Sequence, residues 1–144
     1  MEIKTITKET LTEDNKEEII KLMDIFRKPK GKESITKKTV EWVLSQKSNT
    51  VVVALEDNKI IGMATLIEEN LFTANLGIVD EVVVDETFRG QGVASKILEE
   101  IVLIAKNRKM DLLKLDTTPN SPANRLYEKC GFSKKEASLY KLYL

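Results

Sequence analysis

Two glycines separated by one residue are the first feature of this sequence that could take part in chemistry. Gly90 and Gly92 lie in the segment Arg89-Gly-Gln-Gly-Val-Ala-Ser95. Glycine lets the backbone bend sharply and lets a ligand approach it closely. A helix that starts here has unpaired N–H groups at the positive end of its macrodipole. The segment therefore predicts a binding site for an anion, most naturally a phosphate group.

Acidic residues and a tyrosine supply the other candidate reactive groups. Asp80 and Glu81 precede three valines, Asp116 lies late in a later alternating segment, and Tyr127 lies on an apolar helix face. In an unbroken strand, Asp80 and Glu81 point to opposite faces. The chain has no histidine, which excludes a Ser-His-Asp triad, a Cys-His pair and a histidine metal ligand. We predict no metal site, and the lone thiol of Cys130 cannot form an intrachain disulfide.

The segments on either side of the glycines predict the strand and the helix that position them. Val82, Val83 and Val84 are β-branched, as is typical of a strand interior. After the turn, apolar residues recur at helical spacing: Val93, Ile97, Ile101, Ile104 and Ala105. Residues 111–118 then alternate as a further strand. The unit from Ile78 to Thr118 is therefore predicted to be a parallel, right-handed βαβ unit.

The N-terminal part predicts a strand and two helices. Glu2–Thr7 alternates, and Thr12 can cap a helix that ends before Pro29. A lysine-rich loop leads to a second helix, capped by Ser34 or Thr36. Trp42 lies off the apolar face of that helix, so it is either half exposed or lines a substrate opening.

The remaining segments complete a mixed sheet. Thr50–Glu56 and Ile60–Glu68 predict a hairpin, and the loop after it, with Phe72, is either mobile or a cover for the substrate. Ala123, Leu126, Tyr127 and Cys130 share one face of a short helix, with Asn120 or Ser121 as its cap and Gly131 as its stop. Phe132–Ala137 and Leu139–Leu144 predict a final hairpin. The expected fold is a single α/β domain over residues 1–144, a mixed, mostly antiparallel sheet with one parallel pair and helices on both faces.

Composition excludes several classes of protein. Lysine plus arginine and aspartate plus glutamate both number 23, so the net charge is zero and a nucleic-acid partner has no compositional support. No apolar run reaches the roughly 20 residues that span a bilayer, and the N-terminus is unlike a secretory signal. We therefore expect no membrane partner and, by default, a cytoplasmic location.

Three kinds of phosphate site compete for the glycine turn. A Walker loop requires G-x-x-x-x-G-K-[ST], which the chain lacks. A dinucleotide fold requires a third glycine and a position after the first strand, and Gly90-Gln-Gly-Val-Ala-Ser95 offers neither.

The third kind is indicated by a family resemblance. Arg89-Gly-Gln-Gly-Val-Ala94 matches [Q/R]-x-x-G-x-[G/A] of the GNAT superfamily of acyl-CoA N-acyltransferases, and Val84–Gly92 resembles its V-x-P-x-[YF]-R-G-x-G, with Glu86 where proline is common. Asn120–Phe132 resembles the family's N-x-x-A-x-x-x-Y-x-x-x-G-F. The resemblance covers Thr50–Leu144, about two thirds of the chain, and thins in the N-terminal helices.

The resemblance implies acetyl-CoA as co-substrate and a set of residues that bind it. Pyrophosphate would bind the backbone N–H groups of the glycine turn, and the pantetheine arm would pair with the central strand where two parallel strands splay apart. The implied cofactor-binding residues are Val82, Val83, Val84, Arg89, Gly90, Gln91, Gly92, Val93, Ala94, Ser95, Asn120, Ala123, Asn124 and Tyr127.

The resemblance also implies a direct transfer of acetyl to a primary amine in a ternary complex. The family's tyrosine at the position of Tyr127 protonates the leaving thiolate; the alternative is a core tyrosine. Glu81 matches an acidic position in several branches whose strand reads E-D-[VI]-x-V, although the order here is Asp80-Glu81. It would act as base through water or as a ligand for the ammonium group; otherwise it pairs with a nearby cation.

Two other functions stay open at this point. A CoA-binding sensor or regulatory module would bind the cofactor without turnover, and a dinucleotide-type protein would bind NAD instead. The acceptor could be a small-molecule amine or a protein amine. The resemblance is also compatible with a homodimer, since pairing through the C-terminal strands is common in that family.

Overall fold

The computed structural model describes residues 1–144. The chain contains five strands and four α-helices, with short 3-10 turns at Lys28–Lys30 and Glu86–Phe88. In order they are β1 (Glu2–Ile6), α1 (Glu13–Arg27), α2 (Lys37–Ser45), β2 (Asn49–Glu56), β3 (Lys59–Asn70), β4 (Asn75–Val84), α3 (Val93–Asn107), β5 (Leu112–Lys114) and α4 (Ala123–Lys129). None of these helices is long and apolar enough to cross a membrane.

The strands form one sheet in the order β1-β2-β3-β4-β5. Neighbouring strands are antiparallel except for β4 and β5, which are parallel and joined by α3. The turn between β2 and β3 has positive φ at Asp57 and Asn58, as a tight hairpin turn requires. The predicted mixed sheet with one parallel pair is confirmed.

Helices cover both faces of the sheet, and each face has its own apolar core. Val51 and Val53 of β2 face the first core, which α1 and α2 close. Val52 and Ala54 alternate with them and face the second core, which α3 closes. These two sets are called the α1/α2 core and the α3 core below. Strand β2 is thus buried on both sides, which explains its uninterrupted apolar run.

Side-chain caps and ion pairs fix the first two helices. Thr12 caps α1 in a capping box, and Thr36 caps α2. Lys16 of α1 is nearly buried, and its Nζ lies 2.6 Å from an oxygen of Glu13 and 2.5 Å from an oxygen of Glu41 on α2. Charge as well as apolar packing therefore joins the two helices.

Gly77 lets β4 lie close to the side chains around it. A Cβ atom at this position would lie 2.7 Å from Leu113 Cδ2, 2.7 Å from Leu66 Cδ1 and 3.0 Å from Met110 Sδ. We expect Gly77→Ala to reduce the free energy of unfolding by about 1–3 kcal/mol, as overpacking usually does. Urea denaturation measures the change. In combination with Leu113→Ala the loss should be smaller than the sum of the two, because one of the two closest clashes is gone; additive losses would contradict this explanation.

Two expectations for the C-terminal third are wrong. Phe132–Ala137 and Leu139–Leu144 form no strands, and the last strand is only Leu112–Lys114 rather than residues 111–118. Several apolar side chains of the final segment are exposed, Tyr140 and Leu144 among them. Alternation in a sequence indicates a strand only where a partner strand pairs with it, and no such pairing occurs here.

Candidate functional site

The backbone of β4 bulges at Glu81. Met63 pairs with Val83 and Thr65 pairs with Asp80, so β4 has one residue more than β3 between these pairs. Glu81 has φ of 53°, in the left-handed region that non-glycine residues seldom occupy. The Asp80 carboxylate accepts a hydrogen bond from the Glu81 N–H at 2.7 Å. The extra residue of the bulge is thus held by the side chain before it.

The bulge changes which way the side chains of β4 point. Val79 and Val82 both pack into the α3 core although they are three positions apart, whereas an unbroken strand places such residues on opposite faces. The Glu81 carboxylate accepts a hydrogen bond from Thr65 Oγ1 at 2.9 Å, and Asp80 is the register partner of Thr65. The expectation that Asp80 and Glu81 point to opposite faces is therefore wrong, because the bulge shifts the alternation by one residue.

The edge of β4 opens beyond its middle. Parallel pairing with β5 stops at Ile78 and Lys114, while β4 continues to Val84. Val82 and Val84 are half-buried and pack against the α3 core, whereas Val83 belongs to the α1/α2 core. The far half of β4 thus presents backbone groups that no neighbouring strand pairs, as a splayed parallel pair does.

The glycine turn lies directly after this open edge. Gly90 and Gly92 have φ of 77° and 79°, and a Cβ atom at either would meet no protein atom within 4 Å. The backbone conformation, rather than lack of space, therefore requires glycine here. Helix α3 begins with no side-chain cap. None of the N–H groups of residues 90–95 donates to a protein acceptor, and the first helical bond runs from Lys96 to Gly92.

Six consecutive free N–H groups at a helix start form a suitable site for a phosphate group. Val93, Ala94 and Ser95 form the first turn of α3. The Arg89 side chain is exposed, and its Nε donates to the Val84 carbonyl at 3.2 Å, which ties the turn to the end of β4. Gln91 is exposed over the same turn.

A negative charge in this first turn separates anion binding from helix stability. We expect Ala94→Glu to weaken the binding of CoA about tenfold, because one more anion in the first turn repels the phosphates by roughly 1.4 kcal/mol. The same negative charge interacts favourably with the positive end of the helix macrodipole. The free energy of unfolding of Ala94→Glu should therefore be no lower than that of Ala94→Gln, whose side chain has the same size without the charge. Calorimetric titration with CoA measures the affinity; equal affinity of the two variants would contradict an anion site here.

Helix α4 places Tyr127 on the side of the α3 core. Its end is a Schellman motif: Gly131 has φ of 97°, and the N–H of Phe132 donates to the Tyr127 carbonyl at 3.0 Å. The rings of Tyr127 and Phe132 meet edge to face with centroids 6.2 Å apart. The predicted stop at Gly131 is confirmed. The edge-to-face contact with Phe132 restricts the orientation of the tyrosine ring.

The cap predicted for α4 is wrong, because Pro122 occupies the N-cap position and no side chain caps the helix. Asn120 does not cap the helix; it lies in a turn with φ of 66° and is exposed. Ser121 Oγ accepts a weak hydrogen bond from the Ala123 N–H at 3.3 Å. The side chains of Asn120 and Asn124 have no hydrogen-bond partner within the protein, so both amides are free to bind a ligand.

Tyr127 is half-buried and its hydroxyl has no partner within the protein. Burial raises the pKa of this hydroxyl above its ordinary value, and the negative charge of Asp80 raises the pKa further. The group therefore stays protonated at neutral pH, which suits a donor of a proton or hydrogen bond and excludes a base.

The open edge of β4, the start of α3 and helix α4 meet on the side of the sheet that α3 covers. Val82, Val84, Val93 and Tyr127 all belong to or pack against the α3 core, and Ala123 and Asn124 are half-buried on α4. Asp116 is exposed and lies two residues beyond the end of β5, where the pairing with β4 has already stopped.

Sequence reasoning missed Thr65. It lies in the middle of the apolar run of β3 and is nearly fully buried, yet it binds the Glu81 carboxylate. A threonine in a strand is ordinary in a sequence, so the only signal was a hydroxyl among apolar neighbours.

Trp42 and the tip of the β3–β4 hairpin are too exposed to cover a substrate site. The exposed fraction of Trp42 is 65%, and Phe72 is fully exposed. Of the two readings of Trp42, partial exposure agrees with the structure, and neither residue covers a site in this conformation.

Comparison with curated proteins gives several relatives that are named as acetyltransferases. The chain is 37% identical over 81 residues to a streptothricin acetyltransferase from Escherichia coli, which covers 56% of this chain and 45% of that protein. It is 32% identical over 96 residues to glucosamine 6-phosphate N-acetyltransferase 1 from Dictyostelium discoideum, covering 62% of this chain and 59% of that protein. The chain thus spans about half of the length of the curated relatives it matches.

Solved structures and a family model agree with these matches. An aminoglycoside acetyltransferase from an uncultured soil metagenomic sample superposes with a TM-score of 0.84 at 17% identity, over 99% of this chain and 95% of that one; at this identity the likeness concerns the fold. The model of the acetyltransferase (GNAT) family matches residues 17–132. Because that match covers well over half of the sequence, this chain belongs to the GNAT family of acetyltransferases.

Proposed function

We propose that the chain transfers an acetyl group from acetyl-CoA to a primary amine by direct attack in a ternary complex. The observation that carries this proposal is the run of six unpaired N–H groups in residues 90–95, directly after the open edge of β4. A pyrophosphate with a long amide-bearing arm has the chemistry that both features would bind. Family membership supports the same conclusion.

Each part of the site has a proposed binding role. The N–H groups of Gly90 to Ser95 bind the pyrophosphate, with the α3 macrodipole behind them. Backbone groups of Val82 to Val84 pair with the amides of the arm as an added strand does. Asn120, Ala123 and Asn124 line the other side of the arm, where both free amides can hydrogen-bond to it.

Two side chains have proposed roles in the reaction. Glu81 accepts a proton from the ammonium group, directly or through water, so that the amine nitrogen can attack the thioester carbonyl carbon. A C–N bond forms, the C–S bond breaks, and Tyr127 donates its hydroxyl proton to the departing thiolate. As the amide forms, its nitrogen releases a second proton to solvent and the phenolate regains one from solvent. Glu81 then returns its proton to solvent, so that one proton is released per turnover. With no histidine to activate Cys130, direct transfer is favoured over an acyl-enzyme.

We propose a small cationic amine as the acceptor. Asp80 and Glu81 lie next to each other at the bulge, and two carboxylates favour a positively charged partner. Curated relatives are named for streptothricin and for glucosamine 6-phosphate, and another is an N-alpha-acetyltransferase. Two acids at the acceptor side favour a cationic amine over a phosphorylated one, whose phosphate group they would repel.

An assay of CoA release with acetyl-CoA tests the proposal. Streptothricin, aminoglycosides, amino sugars, glucosamine 6-phosphate, polyamines and peptide N-termini form the panel, with an amine-free reaction as control for hydrolysis. We expect release above control with at least one cationic amine. Tight binding of CoA with no release on any amine would instead support a CoA-binding module without catalysis, and a rise in Tm with NAD but not with CoA would support a dinucleotide-binding protein.

A further inference from the structure

We infer that Thr65 is a positioning residue that orients the Glu81 carboxylate toward the acceptor amine. The inference rests on the proposed function and adds a residue to it. Thr65 lies on β3, has an exposed fraction of 2%, and its Oγ1 donates to Glu81 Oε1 at 2.9 Å.

The surroundings of Thr65 make its hydroxyl unusual. It follows Met63 by two positions on β3 and faces the same side of the sheet, toward the α1/α2 core. Burial of a hydroxyl among apolar side chains costs free energy unless a hydrogen bond compensates. Its one side-chain partner is the carboxylate at the bulge, so the buried hydroxyl is compensated only while the Glu81 carboxylate stays within hydrogen-bond distance of it.

The other buried polar residues have a different use. Thr50 accepts a hydrogen bond from Arg108 Nη1 at 2.8 Å, and Lys16 binds two glutamates. Those contacts join separate elements of the fold. Thr65 instead binds the strand next to it, which is already paired backbone to backbone at that register. The hydrogen bond is therefore not needed to hold the strands together, and what it fixes is the rotamer of Glu81.

Two side chains thus hold the bulge from opposite ends. Asp80 binds the Glu81 N–H and keeps the backbone at its positive φ, while Thr65 binds one carboxylate oxygen. The second oxygen, Oε2, has no partner within the protein and remains free to accept a proton. A glutamate held in one rotamer loses less side-chain entropy when the acceptor arrives.

Thr65→Val tests the inference, because valine has nearly the same shape without the hydroxyl. We expect kcat/KM for the amine to fall about tenfold, or about 1.4 kcal/mol, with KM for acetyl-CoA unchanged. Thr65→Ser should restore most of the loss. The matched control is Thr50→Val, which removes a buried threonine hydroxyl far from the bulge and should leave kcat/KM within twofold. Thr65→Ala replaces Thr65→Val if the latter does not fold, with the same expectation.

A double-mutant cycle with Glu81→Gln separates positioning from a general loss of stability. In the Glu81→Gln background, Thr65→Val should cause little further loss of kcat/KM, since there is no carboxylate left to orient. Urea denaturation of the four proteins gives a second readout without turnover. Because glutamine can still accept the Thr65 hydrogen bond, Thr65→Val should reduce the free energy of unfolding by a similar amount in both backgrounds, so that non-additivity confined to kcat/KM indicates positioning.

The outcomes distinguish the inference from the proposed function. Suppose that the wild type turns over an amine. If kcat/KM of Thr65→Val is then no lower than that of Thr50→Val, or if the losses of kcat/KM in the cycle are additive, the role of Thr65 alone is overturned. No turnover by the wild type on any amine would overturn the proposed function and this inference with it.

Discussion

Tyr127→Phe is expected to lower kcat at least 100-fold and to leave the Kd for acetyl-CoA within threefold. The substitution removes only the hydroxyl, which has no partner within the protein, and keeps the ring packed edge to face against Phe132. General acid catalysis typically contributes 10²–10⁴-fold. Steady-state kinetics of CoA release and calorimetric titration measure the two quantities.

Tyr140→Phe and Tyr143→Phe are matched controls for this experiment. Both tyrosines are largely exposed in the final segment of the chain, so removal of their hydroxyls should not change kcat. A Tyr127→Phe variant with wild-type turnover would remove Tyr127 from the chemistry and leave it as a core tyrosine.

The pH dependence of kcat follows from the same residue. Burial, and then the charge of Asp80, raise the pKa of the Tyr127 hydroxyl above its ordinary value of 10.0. The proton to be donated is therefore present throughout the range from pH 7 to 10, and it is lost only above pH 10. We expect no decline in kcat from this group below pH 10; a decline near pH 8 that disappears in Tyr127→Phe would contradict the assignment. By the same sign, this tyrosine destabilises the fold only as pH rises past 10.

Glu81→Gln is expected to lower kcat/KM for the amine about 100-fold at neutral pH. Glutamine keeps the size of the side chain and can still accept from Thr65, but it cannot take a proton from an ammonium group. Glu69→Gln, on β3 and without an ion pair, is the control for a change of one charge. The measurement is the pH profile of kcat/KM for both variants.

The profile distinguishes two roles for Glu81. A base is needed only while the amine is protonated, so activity of Glu81→Gln should recover toward the wild-type value as pH approaches the pKa of the amine. If Glu81 instead binds the ammonium group, its replacement by glutamine should raise KM for the amine across the lower pH range and change kcat little. Wild-type kcat/KM for Glu81→Gln at every pH would exclude both roles. Asp80→Asn and Asp116→Asn, assayed in parallel, show whether another carboxylate carries the function.

Much of the architecture could be predicted because it depends on short-range chemistry. Thr12 and Thr36 cap their helices as their residue types predict, and Gly131 ends α4 where only glycine fits a positive φ readily. The glycine turn was predicted for the same reason. Gly90 and Gly92 have few physical uses in that position, and a helix start follows them directly.

The detailed geometry at β4 could not be predicted, because it depends on the partner strand. A bulge is a mismatch of register between two strands, and nothing in the string Asp80-Glu81 indicates it. Thr65 was missed for the same reason, since it becomes a polar contact only through that mismatch. The prediction for the last thirteen residues was wrong for the opposite reason. Leu139–Leu144 has a strand-like pattern, but no neighbouring strand pairs with it.

The missing cap of α3 would make the amount of protein in the cell depend on the binding of an anion. Helices α1 and α2 begin with threonines that satisfy a backbone N–H, whereas α3, the helix that closes the second core, begins at Gly92 without one. An N-cap side chain is typically worth about 1 kcal/mol. A bound phosphate would supply that stabilisation from outside, and at 100 times its Kd a ligand adds about 2.7 kcal/mol. The resistance of the protein to proteolysis would then depend on the cellular concentration of CoA. The protein would persist when CoA is abundant and be degraded when CoA is scarce.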